Sequence, residues 1–150
     1  MKTILEAKYE LKELESFAKS LAEESKIGDI FLLKGDLGVG KTTFSRFFIN
    51  SVFDKNEISR PDVIQSPSFP IAINYPLNNY EIYHYDLFRL NNTEELIEIG
   101  IFDNLKKHIS LIEWPEIILN NFMVRNYYLL NFDIVNLKTR SIKLQYFIKN

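Results

Sequence analysis

Eight consecutive residues, Gly35-Asp36-Leu37-Gly38-Val39-Gly40-Lys41-Thr42, follow the order G-x-x-x-x-G-K-[ST] and hold three of the chain's five glycines. Such a run does chemistry through its backbone. Glycines let successive N–H groups converge on one concavity without Cβ clashes, and a nest of that kind binds anionic oxygens. A helix starting near Lys41 aims its free N-terminal amides at the same place. Lys41 would reach β- and γ-phosphates as a point charge, and Thr42 would offer its hydroxyl to Mg²⁺. The alternative is a glycine-rich turn that binds nothing, but such a turn has no need of Lys-Thr at that spacing.

A phosphate loop also needs acids at the ends of neighbouring strands. Asp86 ends the run Tyr80 to Tyr85 and is the candidate to hold the metal; it could equally cap the next turn. Glu113 closes the apolar run Ile109 to Ile112. It could hold the metal through water or orient an attacking water, the plain alternative being a solvated carboxylate at a strand end. Trp114, the single tryptophan, could stack on a base, line the site, meet a partner protein or fill the core. His84 is either a supporting residue for Asp86 or an ordinary histidine, and His108 is read as a surface residue. Arg89 could clamp phosphates or pair with Asp86 or Glu113.

The elements that must position these groups are legible as patterns. Leu11, Leu14, Phe17, Ala18 and Leu21 share one helical face, which predicts a helix from Leu11 to about Glu24, ending near Gly28. Asp29 to Lys34 reads as the strand before the loop. Phe44, Phe47, Phe48 and Val52 predict the helix after it, to about Ser51. Residues 54–67, polar with two prolines, read as a loop. Alternation from Phe69 to Tyr75 and from Glu81 to Tyr85, split by Pro76-Leu77-Asn78-Asn79, predicts a β-hairpin. Thr93 is expected to cap a short helix that Gly100 ends. Ile109 to Glu113 is a buried strand with Pro115 in the first turn of a helix behind it. Two strands are expected over Arg125 to Ile134 and Arg140 to Ile148. Hairpins interleaved with helices imply an α/β layer fold with a mixed sheet.

With 150 residues, 46% hydrophobic and 25% charged, the chain suits one soluble domain, residues 1–150. A net charge of −2 and the lack of any basic block argue against tight independent nucleic-acid binding. The absence of cysteine rules out disulfides, thiolate metal sites and a cysteine nucleophile. No apolar run suits a membrane span, and Met1 to Glu6 lacks a signal-peptide core. A cytoplasmic location is expected.

Four segments in order carry a family resemblance. They are Gly35 through Phe44, Ser66-Pro67-Ser68-Phe69, His84-Tyr85-Asp86-Leu87-Phe88-Arg89-Leu90 and Ile112-Glu113-Trp114-Pro115-Glu116. With Glu94-Glu95-Leu96 to Gly100-Ile101 between them, they resemble the bacterial TsaE family, also called YjeE, over about residues 10–120. The resemblance implies a P-loop NTPase-like three-layer fold with a mixed central β-sheet and a Mg-dependent ATPase that is weak alone. It implies service in making N6-threonylcarbamoyladenosine at position 37 of tRNAs that read codons beginning with A. The transfer itself would lie with partners similar to TsaB and TsaD, and tRNA would be met only indirectly or weakly. By the same resemblance Gly38, Val39, Gly40, Lys41, Thr42, Thr43 and Ser68 bind ATP. Thr42, Asp86 and Glu113 hold Mg²⁺, with Asp86 and Glu113 the catalytic acids. Ser66 to Phe69 form a switch-like loop, and Arg140 matches an arginine before the final strand. Ser68 stands where the family usually has Thr, Phe88 where it has Tyr, and Ile117-Ile118 where a basic residue is common. A small P-loop nucleotide or metabolite kinase is the competing reading, though the arginines of a kinase lid are sparse. A nucleotide-switched binding module is the third, but no Asn-Lys-x-Asp run for guanine is present.

Overall fold

The computed structural model describes residues 2–119, 121 and 124–148. One seven-stranded sheet runs through it in the order β1-β7-β6-β2-β5-β4-β3. The strands are β1 (Lys2–Tyr9), β2 (Ile30–Lys34), β3 (Ala72–Pro76), β4 (Glu81–Asp86), β5 (Ile109–Glu113), β6 (Asn126–Ile134) and β7 (Arg140–Ile148). The helices are α1 (Leu11–Glu24), α2 (Lys41–Lys55), α3 (Thr93–Glu98), α4 (Ile101–Asn104) and α5 (Glu116–Leu119). β4, β5, β2 and β6 are mutually parallel; β1, β3 and β7 pair antiparallel with their neighbours. The expected mixed α/β layer architecture is present.

The layers follow from side-chain alternation. β2 is apolar at four successive positions because both of its faces are covered. Phe31 and Leu33 join a core with Leu14 and Phe17 of α1 and Phe44, Phe48 and Val52 of α2. Ile30 and Leu32 face the opposite way, into a second core with Leu96, Ile101 and Ile118 of the three short helices. The first core is strongly aromatic. Phe44 meets Phe17, Phe48 and Phe132 at ring-centroid separations of 5.9, 6.0 and 5.8 Å. The Lys55 ammonium, in the last turn of α2, donates to the carbonyls of Ala22, Glu23 and Ser25 at 2.9, 3.2 and 2.7 Å. It thereby satisfies carbonyls that α1 leaves open at its C-terminus and ties the two helices together.

Several expectations need correction. β1 has no counterpart in the sequence reading. It is an edge strand, exposed along most of its length, and it exists because β7 supplies its hydrogen bonds. α2 runs four residues beyond Ser51, into the segment read as loop. The hairpin is present, but Phe69 lies in the turn before it and Ile71 has a left-handed φ of 71°, so β3 begins only at Ala72. The cap of α3 is Asn92, whose Oδ1 accepts the Glu95 N–H at 3.0 Å; Thr93 is the first helical residue. His108 is half-buried: its Nδ1 accepts the Glu81 N–H at 3.0 Å and its ring packs on Tyr83.

Gly35 is where β2 becomes the loop. Its φ is 155°, and a Cβ there would stand 2.8 Å from the Phe132 carbonyl oxygen and 2.8 Å from Val39 Cγ1. The loop is thus seated directly on β6, with no room for a side chain. Gly35→Ala is expected to destabilise the fold by about 1–3 kcal/mol, because backbone must move to admit one methyl. Urea unfolding of the two proteins checks this, and an unchanged midpoint would contradict the seating.

Candidate functional site

The parallel register places three strand ends side by side. Leu33 of β2 is level with Glu113 of β5, and Glu113 is level with Asp86 of β4. The chain leaves β2 at Lys34, forms the glycine loop and returns as α2 over the same face of the sheet. Gly40, with φ of 111°, stands at the N-cap of α2, and its carbonyl accepts the Phe44 N–H at 2.9 Å. This left-handed turn directs the first amides of α2 into the cleft. On the other side, Arg140 Nε donates to the Val39 carbonyl at 3.0 Å, while its Nη1 donates to the carbonyls of Asn136 at 2.8 Å and Thr139 at 3.3 Å. Arg140 therefore straps the loop to the β6–β7 turn. The Val39 side chain is buried in the first core, so its backbone is what it offers to the cleft.

A cleft of about 240 Å³ gathers Gly38, Gly40, Lys41, Thr42, Thr43, Ser66, Ser68, Asp86, Glu113 and Trp114. Nearly every site residue expected from the sequence thus meets in one place. Thr42 donates its hydroxyl to Glu113, 3.0 Å from Oε1 and 3.1 Å from Oε2, a contact spanning 71 residues of chain. Glu113 is only 2% exposed, which excludes the solvated-carboxylate alternative. Its second partner is His84, whose Nε2 lies 2.5 Å from Oε2. Asp86, also buried, accepts the Phe88 N–H on Oδ1 at 3.0 Å. It therefore caps the following turn while lining the cleft.

Lys41 is buried, donates to the Gly35 carbonyl and lies over the indole of Trp114, 3.6 Å from the ring centroid. Of the roles weighed for Trp114, lining the site is the one the geometry shows. Trp114 has a φ of 53°, a strained value for a bulky residue. That sharp turn directly after Glu113 accompanies the return of the indole over the lysine. Phe88 packs on Trp114 at 4.9 Å between centroids, and the Arg89 guanidinium covers the Phe69 ring at 4.9 Å. Arg89 is thus held against an aromatic ring and pairs with neither Asp86 nor Glu113. Ser68 is exposed at the mouth of the cleft beside Ser66.

Burial shapes the charges here. It pushes the Lys41 ammonium below its ordinary pKa, against the pull of Glu113 and Asp86. It pushes the Asp86 carboxyl above its ordinary value, opposed by the Phe88 N–H and reinforced by the negative charge of Glu113. For both groups burial disfavours the charged form, a cost that a ligand of opposite sign would offset. The oxygen donors Thr42, Asp86 and Glu113 fit Mg²⁺, a hard ion that keeps water and phosphate oxygens as its remaining ligands. Among the described residues no cluster of three or more His, Cys, Asp or Glu forms an all-protein metal cage.

Across the loop lies a second cleft, about 400 Å³, lined by Tyr9, Leu11, Leu14, Gly38, Val39, Gly40, Thr43 and Arg140 among others. A wider trough of about 580 Å³ between β1 and α1 is remote from the carboxylates. Sequence reasoning did not foresee Tyr9 or Leu11 beside the loop, because their proximity comes from the approach of α1 to α2.

The sequence profile described as "Threonylcarbamoyl adenosine biosynthesis protein TsaE" matches residues 9–142. A relative named tRNA threonylcarbamoyladenosine biosynthesis protein TsaE from Rickettsia typhi is 44% identical over 107 residues, 71% of either chain. One of the same name from Borreliella burgdorferi is 36% identical over 134 residues, 88% of this chain and 92% of that one. The matches to two further Rickettsia relatives, from R. felis and R. conorii, span 59% and 58% of those proteins' length. The crystal structure of Bacillus subtilis YdiB superposes with a TM-score of 0.69, covering 100% of this chain and 90% of that one at 23% identity, a likeness of fold.

The raised Asp86 pKa has a consequence for stability. A carboxyl whose folded pKa lies above its unfolded value of about 4 contributes stability that is fully present below that pH and lost as pH rises through the folded value. Asp86→Asn keeps an Oδ1 acceptor for Phe88 and removes the charge. Without nucleotide and in chelator, it is expected to raise the melting temperature at pH 7 relative to wild type, with the gain vanishing near pH 4. A lower melting temperature at pH 7 would contradict this account of Asp86.

Proposed function

This chain belongs to the TsaE family, and from that membership we propose that it binds and hydrolyses ATP in support of N6-threonylcarbamoyladenosine formation on tRNA. Its relatives carry the name of that biosynthesis; the ATPase, its metal and its partners are our reading. The observation that carries it is the meeting of Lys41, Thr42, Asp86 and Glu113 in one cleft, with the Thr42–Glu113 contact joining the phosphate loop to the strand end.

In this reading the amides of Gly38 to Thr43 cradle the phosphates and Lys41 neutralises charge on the β- and γ-groups. Thr42 and Asp86 would hold Mg²⁺ directly, and Glu113 through water. The ion, when bound, would offset charge developing on the phosphate oxygens. Glu113, the least solvated of the acids, orients the attacking water and accepts its proton. The second cleft takes the nucleoside, with apolar Leu11 and Leu14 against the base. Ser66 to Phe69 close the mouth as a loop that responds to nucleotide and partner. The chain does not transfer the threonylcarbamoyl group; it acts beside TsaD-like and TsaB-like proteins in the cytoplasm. No helix among the described residues is long and apolar enough to cross a membrane.

Lys41→Ala is expected to lose ATP binding by calorimetry while keeping its circular dichroism. Glu113→Ala should retain binding and lose hydrolysis by about 10²–10⁴-fold, the contribution of a positioned base. Unchanged turnover in Lys41→Ala would end the phosphate-loop assignment, and lost binding in Glu113→Ala would make that residue a ligand holder. Affinity capture from the source cell in ATP tests the partners. Recovery of TsaD-like and TsaB-like proteins supports the proposal, whereas none recovered, with a phosphorylated small molecule formed in assay, favours the kinase.

A further inference from the structure

His84 is fully buried in the middle of β4, yet its level neighbours on the adjacent strands are Ile73 and Leu111. An aliphatic residue would suit that position at least as well. The imidazole makes one polar contact, from Nε2 to Glu113 Oε2 at 2.5 Å, and its buried Nδ1 has no hydrogen-bond partner among the described residues. Leaving a buried polar atom unpaired is destabilising. An imidazole therefore stands here at a cost to stability, and its one polar contact is with the carboxylate of the site.

We infer that His84 is a positioning residue for Glu113, holding that carboxylate in its working orientation through an Nε2–H donor. The geometry explains why two donors are present. Thr42 and His84 grip Glu113 from different elements, α2 and β4. The Thr42 hydroxyl belongs to the phosphate loop and is the group that would change partners when phosphate and metal arrive. The imidazole sits beneath the cleft, on a strand paired on both sides, with no such second task. It keeps its hold on Oε2 when the Thr42 hydroxyl, which reaches both carboxylate oxygens, turns to the ligand. Side chains that ligate or activate at such centres depend on outer partners of this type for their orientation. His84 shares the α2-facing side of β4 with Asp86, two residues on, so one strand supplies both an acid of the site and the support of the other acid.

The inference rests on the ATPase reading and extends it. The test compares His84→Met, which keeps volume and removes the donor, with His84→Gln, whose amide can place an N–H near Nε2. Steady-state hydrolysis of radiolabelled ATP by the 150-residue chain resolves slow rates and gives kcat and KM. His84→Met should lower kcat about 10- to 100-fold with KM nearly unchanged, the size of effect that outer partners produce. His84→Gln should recover most of that loss. In a Glu113→Gln background, His84→Met should add nothing, because its effect passes through the carboxylate. An active wild type with an unimpaired His84→Met, a Gln variant as poor as Met, or additive losses would overturn this inference alone. A wild type with no hydrolysis would overturn the ATPase reading and this inference with it. Should His84→Met fail to fold, proton NMR of the free protein decides. A protected, downfield imidazole N–H that disappears in Glu113→Ala supports the contact, and its absence in wild type refutes it.

Discussion

Everything at the cleft depends on the parallel alignment of β2, β5 and β4. Adjacent strands lie about 4.8 Å apart, so a register that makes Leu33, Glu113 and Asp86 level brings the loop and two carboxylates together with no further device. A slip of one residue would turn Glu113 to the opposite face, toward the short helices. The register is held by alternation: Ile109 and Leu111 enter the aromatic core under α2, while Ile112 enters the other. Glu113 continues that alternation and arrives on the α2 side because Leu111 is already there.

The same sheet makes burying charge tolerable. Lys41, Asp86 and Glu113 are each under 7% exposed, an arrangement proteins accept only when such groups have partners. Here the partners are the Gly35 carbonyl and the Trp114 face for Lys41, a backbone N–H for Asp86, and Thr42 with His84 for Glu113. Burial lowers the pKa of the lysine and raises that of Asp86. A site in that condition would gain from an anion beside Lys41 and a cation beside Asp86. The backbone strain at Trp114 is a further local cost in the same cleft.

Much of this was legible in the chain's own order. The glycine loop and its flanking strand and helix depend on near-neighbour residues, and local rules suffice for them. Phe44, Phe48 and Val52 announce α2 by spacing alone, and Ile109 to Glu113 announces a buried strand. β1 was not legible, because an exposed edge strand has little alternation and takes its hydrogen bonds from β7, far away in sequence. The cap at Asn92 was missed because Thr93 is an equally good cap by type, and only the path of the backbone chooses between them. The partners of His84 and Arg140 were not legible in sequence because Glu113 and Val39 are 29 and 101 residues distant.

The sequence by itself determined the chemistry on offer. A glycine loop, a lysine, a hydroxyl and two carboxylates at strand ends depend on residue type and short spacing, and both are written in the chain. The tertiary structure decided how those groups are used. It chose Glu113 as the acid gripped by two donors and set Trp114 over the lysine. It held the loop with Arg140 and put an imidazole beneath the cleft. Those choices are contacts between distant segments, settled by sheet register and by the packing of α2 on an aromatic core, and no local pattern encodes them.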